Sequence, residues 1–417
     1  MSTNNTDDTA RQLRLIAFYL PQFHPTPEND EWWGKGFTEW ANVTKARPLF
    51  PGHDQPHLPA DLGFYDLRLP EAREAQAALA REYGIHGFCY YHYWFNGRRI
   101  LERPFNEVLA SGKPDLPFCL CWANENWTRI WDGGEKNVLL EQKYSHEDDL
   151  AHIESLIPAF SDERYIRING KPLFLVYRTG LLPNPALTAE IWRKAAKRAG
   201  IGDLYLVRVE SFGNEADPRT IGFDASVEFA PFGGVMGKLK FHDPFHQLLA
   251  NVGLLAKGFT ENSVIQYDTI MEGMLKRPEP DYTRFHGVTP AWDNSARRKQ
   301  NALIFEGSTP AKYQAWLQTV VARTLRKREG EERIVFINAW NEWAEGNHLE
   351  PDIKWGHAYL DATRNAMLGA AQPGGAASTA EQAPELQATL ARRTYWKLIA
   401  FLKEQASLLR ILAFRKK

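Results

Sequence analysis

Cysteine is scarce: three in 417 residues. Cys89, Cys119 and Cys121 each fall inside an apolar run. That excludes a disulfide framework and fits buried thiols in a reducing compartment. Cys119-x-Cys121 is half of a metal-binding spacing, but no second Cys/His pair at ligand spacing completes it, so no metal is expected. Nor does any segment approach the roughly 20 apolar residues of a membrane-spanning helix. The polar stretch Met1 to Gln12 lacks the apolar h-region of a secretory signal and is expected to be a disordered terminus. Net charge is −1, which gives no long-range field favouring nucleic acid. Aromatic residues, by contrast, are abundant, with 14 tryptophans. Such a surplus suggests a cleft lined with flat rings, although a large aromatic core would account for it equally well.

Short apolar runs alternate with helical patterns along most of the chain. Strands are expected at Leu13 to Leu20, Gly87 to Tyr91, Pro117 to Trp122, Leu173 to Tyr177, Leu204 to Val209, Ala225 to Phe229, Val288 to Trp292 and Ile334 to Ala339. Helices are expected at Pro70 to Tyr83, Pro104 to Ala110, His146 to Ala159, Asn184 to Ala199, Ser263 to Leu275 and Pro310 to Arg326. About eight strand–helix repeats with near-continuous apolar strands predict an α/β fold, a (β/α)8 TIM barrel, over residues 13–370. A doubly wound open sheet is the alternative. Its Gly-rich phosphate turn is missing after the first strand, where Leu20-Pro21-Gln22-Phe23-His24-Pro25 follows. Two long irregular stretches, His24 to Leu69 and Phe232 to Asn262, should shape the C-terminal face of the barrel.

Beyond about Leu368 the composition changes. Residues 371–387 are rich in Pro, Gly, Ala and Ser and read as a flexible linker. Residues 388–417 return to helical spacing, with Leu398, Phe401, Leu402, Leu408, Leu409 and Leu412 on one face and Arg392, Arg393, Lys397, Lys403, Arg410, Arg415, Lys416 and Lys417 on the other. This basic amphipathic helix suits peripheral membrane contact or a protein partner, and folding back onto the barrel is the plain alternative.

Reactive side chains of a barrel project from the C-terminal ends of its strands. Those positions hold Tyr19, Gln22 and His24; Tyr91, His92, Tyr93 and Trp94; Trp122, Asn124, Glu125 and Trp127; Tyr177; Glu210; Glu228; Trp292 and Asp293; and Asn341, Trp343, Glu342 and Glu345. With Trp40 from the first long loop, these amides, acids and rings describe a carbohydrate cleft better than an apolar or phosphate pocket. Some have plainer readings. His92 also fits a core histidine, and Glu210 and Glu228 also fit pairing with arginines such as Arg208. The sharpest signal is Trp340-Asn341-Glu342-Trp343-Ala344-Glu345-Gly346. Its two carboxyls are three positions apart, roughly 5–6 Å in a helical turn. That suits glycosidic-bond chemistry, which needs one protonated and one ionised group.

Five stretches together resemble the WbsX-type proteins of bacterial surface-polysaccharide loci: Phe18-Tyr19-Leu20-Pro21-Gln22-Phe23-His24-Pro25, Glu31-Trp32-Trp33-Gly34-Lys35-Gly36-Phe37-Thr38-Glu39-Trp40, Gly87-Phe88-Cys89-Tyr90-Tyr91-His92-Tyr93-Trp94-Phe95, Trp122-Ala123-Asn124-Glu125-Asn126-Trp127 and the Glu342/Glu345 motif. WbsX-type proteins are often labelled glycosyltransferases and are similar to glycoside hydrolase family 99, the endo-α-mannosidases and endo-α-mannanases. The resemblance implies that Glu342 acts as base on the substrate's own 2-hydroxyl, forming a 1,2-anhydro sugar, and that Glu345 is the acid/base, with retention of configuration. Ala344 stands where those hydrolases usually carry His. The expectation is a retaining hydrolase or transglycosylase for an α-linked mannose- or rhamnose-type polysaccharide. It would need no cofactor and would work in the cytoplasm, peripherally at the inner membrane. A glycosyltransferase and a non-catalytic glycan-binding protein are the alternatives.

Overall fold

The computed structural model describes residues 13–370, apart from 130–133, 212–215, 231–232, 237–238, 240 and 299. The expected N-terminal disorder, linker and C-terminal helix lie outside the described residues.

Eight parallel strands close into a barrel. They are β1 (Arg14–Tyr19), β2 (Ile85–Phe95), β3 (Phe118–Trp122), β4 (Lys171–Val176), β5 (Tyr205–Glu210), β6 (Ala225–Glu228), β7 (Arg284–Val288) and β8 (Ile334–Ile337). Each pairs with the next, and β1 pairs with both β2 (Phe18 opposite Cys89) and β8 (Ile16 opposite Phe336), which closes the sheet. The order is that of a (β/α)8 barrel. Helices α1 (Pro70–Glu82), α2 (Arg103–Ser111), α3 (His146–Phe160), α4 (Pro185–Arg198), α5 (Tyr267–Lys276), α6 (Pro310–Lys327) and α7 (Ala358–Ala370) cover the outside. Between β5 and β6 the described residues form only a 3-10 turn, Pro218–Ile221. Local chemistry sets the helix starts. Proline sits in the first turn of α1, and the side chains of Ser145, Asn184 and Thr309 accept from Asp148, Leu187 and Lys312 N–H to open α3, α4 and α6.

Side chains alternate between the lumen and the helix layer. Phe18 of β1 packs on Tyr91 of β2, on Phe229 just beyond β6 and on Phe336 of β8, with ring centroids 5.5–5.6 Å apart. These rings come from strands around the whole circumference, so they fill the lumen. Their chain neighbours therefore face the helices.

The second strand runs on from the expected end at Tyr91 to Phe95, and two further expected boundaries shift. The seventh strand is Arg284–Val288, not Val288 to Trp292. His286 and Gly287 break the apolar pattern, yet Gly287 is where the wall of the barrel is tightest. A Cβ there would stand 2.2 Å from the Glu228 carbonyl oxygen. Gly287→Ala is therefore expected to cost about 1–3 kcal/mol of stability. Urea denaturation would measure it, and an unchanged midpoint would contradict the tight contact. Secondly, Ser263–Gln266 is not helical. It forms a strand paired in parallel with Leu303–Glu306, and α5 begins only at Tyr267. The first long loop carries two short helices, Pro27–Trp33 and Trp40–Val43, and the later one carries Pro244–Asn251 and Gly258–Glu261.

Candidate active site

Glu342 and Glu345 lie just past the C-terminal end of β8. Asn341–Glu342 pairs antiparallel with Asn347–His348, and the residues between form a 3-10 turn, Trp343–Glu345. Gly346 ends the turn at φ +56°, and a Cβ there would meet Asp293 at 2.9 Å. The turn is held on two sides. Asn341 donates to the Leu20 carbonyl and accepts from the Leu20 N–H, which fastens it to the end of β1. On the other side, Asp293 N–H donates to the Glu345 carbonyl at 2.6 Å.

At the centre is Arg297. Its guanidinium donates to Glu345 (2.7 Å), to Glu342 (2.9 Å) and to Glu39 of the first long loop (3.1 Å). Three carboxylates thus share one cation, and the excess of negative charge favours protonation within the cluster. Burial pushes the Glu342 carboxyl up, and although Arg297 opposes this, Glu345 and Glu39 add to it. The outcome is about 8. Glu345 is also raised, by burial and by Glu39, against the pull of Arg297. Both carboxyls are thus held above the ordinary carboxylate range, which favours one acid form and one base form on neighbouring groups. Glu345 is the more open, with one-fifth of its side chain exposed against 7% for Glu342.

The lumen supplies the floor. Tyr91 lies close enough to feel the charge of both glutamates, and Tyr177, edge-on to Tyr91, feels that of Glu345. Tyr93 faces Glu342, Arg297 and Glu39, and packs against Trp127, which in turn meets Trp32. Glu125 pairs with Arg178 and also acts on Tyr177; burial raises its pKa against that pairing. The acid pair, Tyr91, Tyr93, Tyr177, Glu125 and Trp127 are therefore brought to one end of the barrel.

Other residues expected to meet substrate are placed elsewhere. Tyr19 faces the helix layer, its hydroxyl on Gln76 of α1. His92, Trp94 and Trp122 pack around His152 of α3. The His92 ring nitrogen lies 2.9 Å from that of His152, and Trp94 donates to Asp148. Trp122 is thus separated from the acids by the barrel wall. Glu228 is buried behind the sheet against Arg277, Arg284 and His286. Burial raises its carboxyl, but His286 and the arginines outweigh it and the net shift is downward. Glu210 joins the same cluster through Arg277. Asn124 is spent on the Arg178 backbone and Tyr144. Asn341 contacts the β1 backbone and the Tyr65 hydroxyl rather than either glutamate.

Trp343 is buried, stacked 3.7 Å from His348, and donates to Glu350 at 2.6 Å, so it braces the turn from behind. Trp40 donates to the Tyr65 carbonyl and packs on Trp343. Asp293 accepts from His53, Gln55 and Ser295. Burial raises its carboxyl, but these partners, His53 first, win and hold it low. It shapes the turn that delivers Arg297. Trp292 is buried beside it in the chain. Gln22 and His24 are buried, with a side-chain nitrogen of each unpartnered among the described residues, and burial lowers His24 to about 4.

Two central residues were not picked out as site residues from sequence. Glu39 carried a signal, an acid set between Phe37 and Trp40. Arg297, in an exposed-looking run Ser295 to Arg298, carried none.

Fold and site together define a (β/α)8 barrel with a carboxylate centre at the C-terminal ends of its strands. The chain belongs to the WbsX family: the family model described as "Glycosyltransferase WbsX" matches residues 15–363. A relative from Xanthomonas campestris pv. campestris, described as "Uncharacterized protein WxcX", is 48% identical over 356 residues, which are 85% of this chain and 50% of that protein. The chain thus spans about half the length of the curated relatives it matches. Among solved structures, a "Glycoside hydrolase-like protein" superposes with a TM-score of 0.50 at 14% identity, covering 85% of this chain and 94% of the other. The GH99 endo-alpha-mannosidase from Bacteroides thetaiotaomicron gives 0.48 at 16% identity, covering 85% and 96%. No described helix is long and apolar enough to cross a membrane.

Proposed function

We propose that this barrel cleaves or transfers an α-linked mannose- or rhamnose-type unit of a bacterial surface polysaccharide, with retention, through participation of the sugar's 2-hydroxyl. The observation that carries the reading is the Glu342–Glu345 pair held on one guanidinium, with burial raising both carboxyls. Such a pair can take a proton from the 2-hydroxyl and give one to the departing oxygen in the same event. Tyr91, Tyr93 and Tyr177 would border the reacting sugar, and Trp127 would offer it a stacking face.

Incubation of the purified protein with mannan, rhamnan and the host's own polysaccharide tests this, with release or exchange of oligosaccharide as the expected result. The family description favours a second reading, a glycosyltransferase. Sugar transfer from a nucleotide donor, with no oligosaccharide released from any polymer, would establish that reading instead. Glycan binding that survives loss of both glutamates, without turnover, would favour a binding protein.

We also propose that the basic sequence from Leu390 onward holds the enzyme at an anionic membrane face. Its removal is expected to release the protein from anionic vesicles and to spare activity on soluble substrate. Co-sedimentation measures this, and undiminished vesicle binding would refute it.

A further inference from the structure

Beside Trp343, which stacks on His348, three ligand-type side chains converge. His57 comes from the first long loop, and His348 and Asp352 from the segment after β8; their nearest ligand atoms all lie within 4.8 Å of one another. His57 Nδ1 and His348 Nε2 are 3.1 Å apart, and His348 Nε2 and Asp352 Oδ2 are 3.8 Å apart. Atoms bound at about 2.0–2.2 Å to one tetrahedral ion stand roughly 3–3.5 Å from each other, so the two separations at His348 are close to the size such an ion requires.

His348 and Asp352 are also oriented for that role, while His57 Nδ1 now donates to His348 Nε2 and would yield that proton to an ion. His348 Nδ1 lies 2.9 Å from the Glu350 carbonyl oxygen, which can only accept. The proton is therefore on Nδ1, and Nε2 presents its lone pair inward. Asp352 spends Oδ1 on the Trp355 N–H at 2.5 Å, leaving Oδ2 toward His348. His57 turns its other ring nitrogen, Nε2, toward Asp54 at 3.7 Å. The carbonyl behind His348 is the outer support that metal-bound histidines usually have, whereas Asp54 lies beyond hydrogen-bond distance of His57 and accepts from Lys354 at 2.8 Å. His348 and Asp352 are buried and His57 is 13% exposed, so the cluster reaches solvent at His57.

We propose that His57, His348 and Asp352 form a site for a divalent transition-metal ion of the zinc class. Two imidazoles and a carboxylate suit that class better than calcium or magnesium. The two histidines are 291 positions apart, so no sequence spacing announces the site. The ion would fasten the first long loop to the segment carrying the acid pair. That loop already runs beside Asp352, with Ala60 N–H on the Pro351 carbonyl and Ile353 N–H on the Leu58 carbonyl. His348, for its part, pairs directly with Asn341 and stacks on Trp343.

The test needs no sugar substrate, so its outcome is independent of the proposed activity. Chelator-stripped full-length protein is titrated with Zn2+ by calorimetry and, separately, with Co2+ by visible absorption. The expected result is one tight equivalent, Co2+ bands of a four- or five-coordinate nitrogen–oxygen site, and a Tm raised by Zn2+. His57→Ala and Asp352→Asn are expected to weaken binding at least roughly tenfold and to abolish the Tm rise, whereas the exposed His146→Ala leaves both unchanged. If either ligand variant fails to fold, the Co2+ spectrum of the unaltered protein decides. No tight equivalent, an octahedral all-oxygen spectrum, or undiminished binding in both ligand variants would overturn the proposal.

Discussion

Glu345→Gln and Glu342→Gln are each expected to lower turnover of the natural polysaccharide by roughly 10²–10⁴-fold, the usual contribution of a positioned acid or base. The amide keeps the size of the side chain but can neither give up a carboxyl proton nor become an anion. Circular dichroism should show both variants folded. A substrate with a good leaving group then separates the roles, because an activated aryl glycoside needs no protonation of its departing oxygen. The resemblance assigns the acid to Glu345, which is also the more exposed side chain and the better placed to reach a leaving group. Glu345→Gln is therefore expected to recover on the activated substrate, and Glu342→Gln is not. Recovery of Glu342→Gln alone would reverse the assignment and would agree with the deeper burial that favours a proton on Glu342. Full activity of both variants on polysaccharide would remove the pair from the chemistry altogether.

Arg297→Met is expected to destabilise the fold by about 3–5 kcal/mol near pH 8, because it removes one partner from a buried ionic cluster and leaves uncompensated charge. Arg297 is the influence that opposes burial at both Glu342 and Glu345, so without it their carboxyls move further up. The sign of the pH effect follows. A carboxyl raised in the folded state binds more protons folded than unfolded through the window between its two pKa values. Stability is then fully present below the unfolded value, about 4.3, and is lost as pH rises toward the folded one. The unaltered protein should show part of this loss, since Glu342 stands at about 8. The variant should show more, so the gap between them widens from pH 5 to pH 8. Urea denaturation at the two pH values measures it. A gap that narrows toward pH 8 would contradict a role for Arg297 in holding the carboxylates.

The strands that could be read directly are those whose apolar runs are unbroken, such as Ile334–Ile337 and Phe118–Trp122. β7 was misplaced because the contact that defines it, Gly287 against the Glu228 carbonyl, removes a side chain instead of adding an apolar one. The direction of each strand-end residue was hidden for a different reason. Both faces of a covered parallel strand are buried, so Phe18 and Tyr19, or Tyr91 and His92, look alike in composition. Only register around the closed barrel sends Phe18 and Tyr91 inward and Tyr19 and His92 to the helices.

By itself the sequence determined the repeat of strands and helices, because burial on both strand faces imposes long apolar runs. It also determined the acid pair, because two residues three apart meet within one local turn. Tertiary structure alone decided what surrounds that pair. Glu39 reaches Arg297 across 258 positions and Asn341 reaches Leu20 across 321. Contacts of that span are set by closure of the barrel, which no local spacing records.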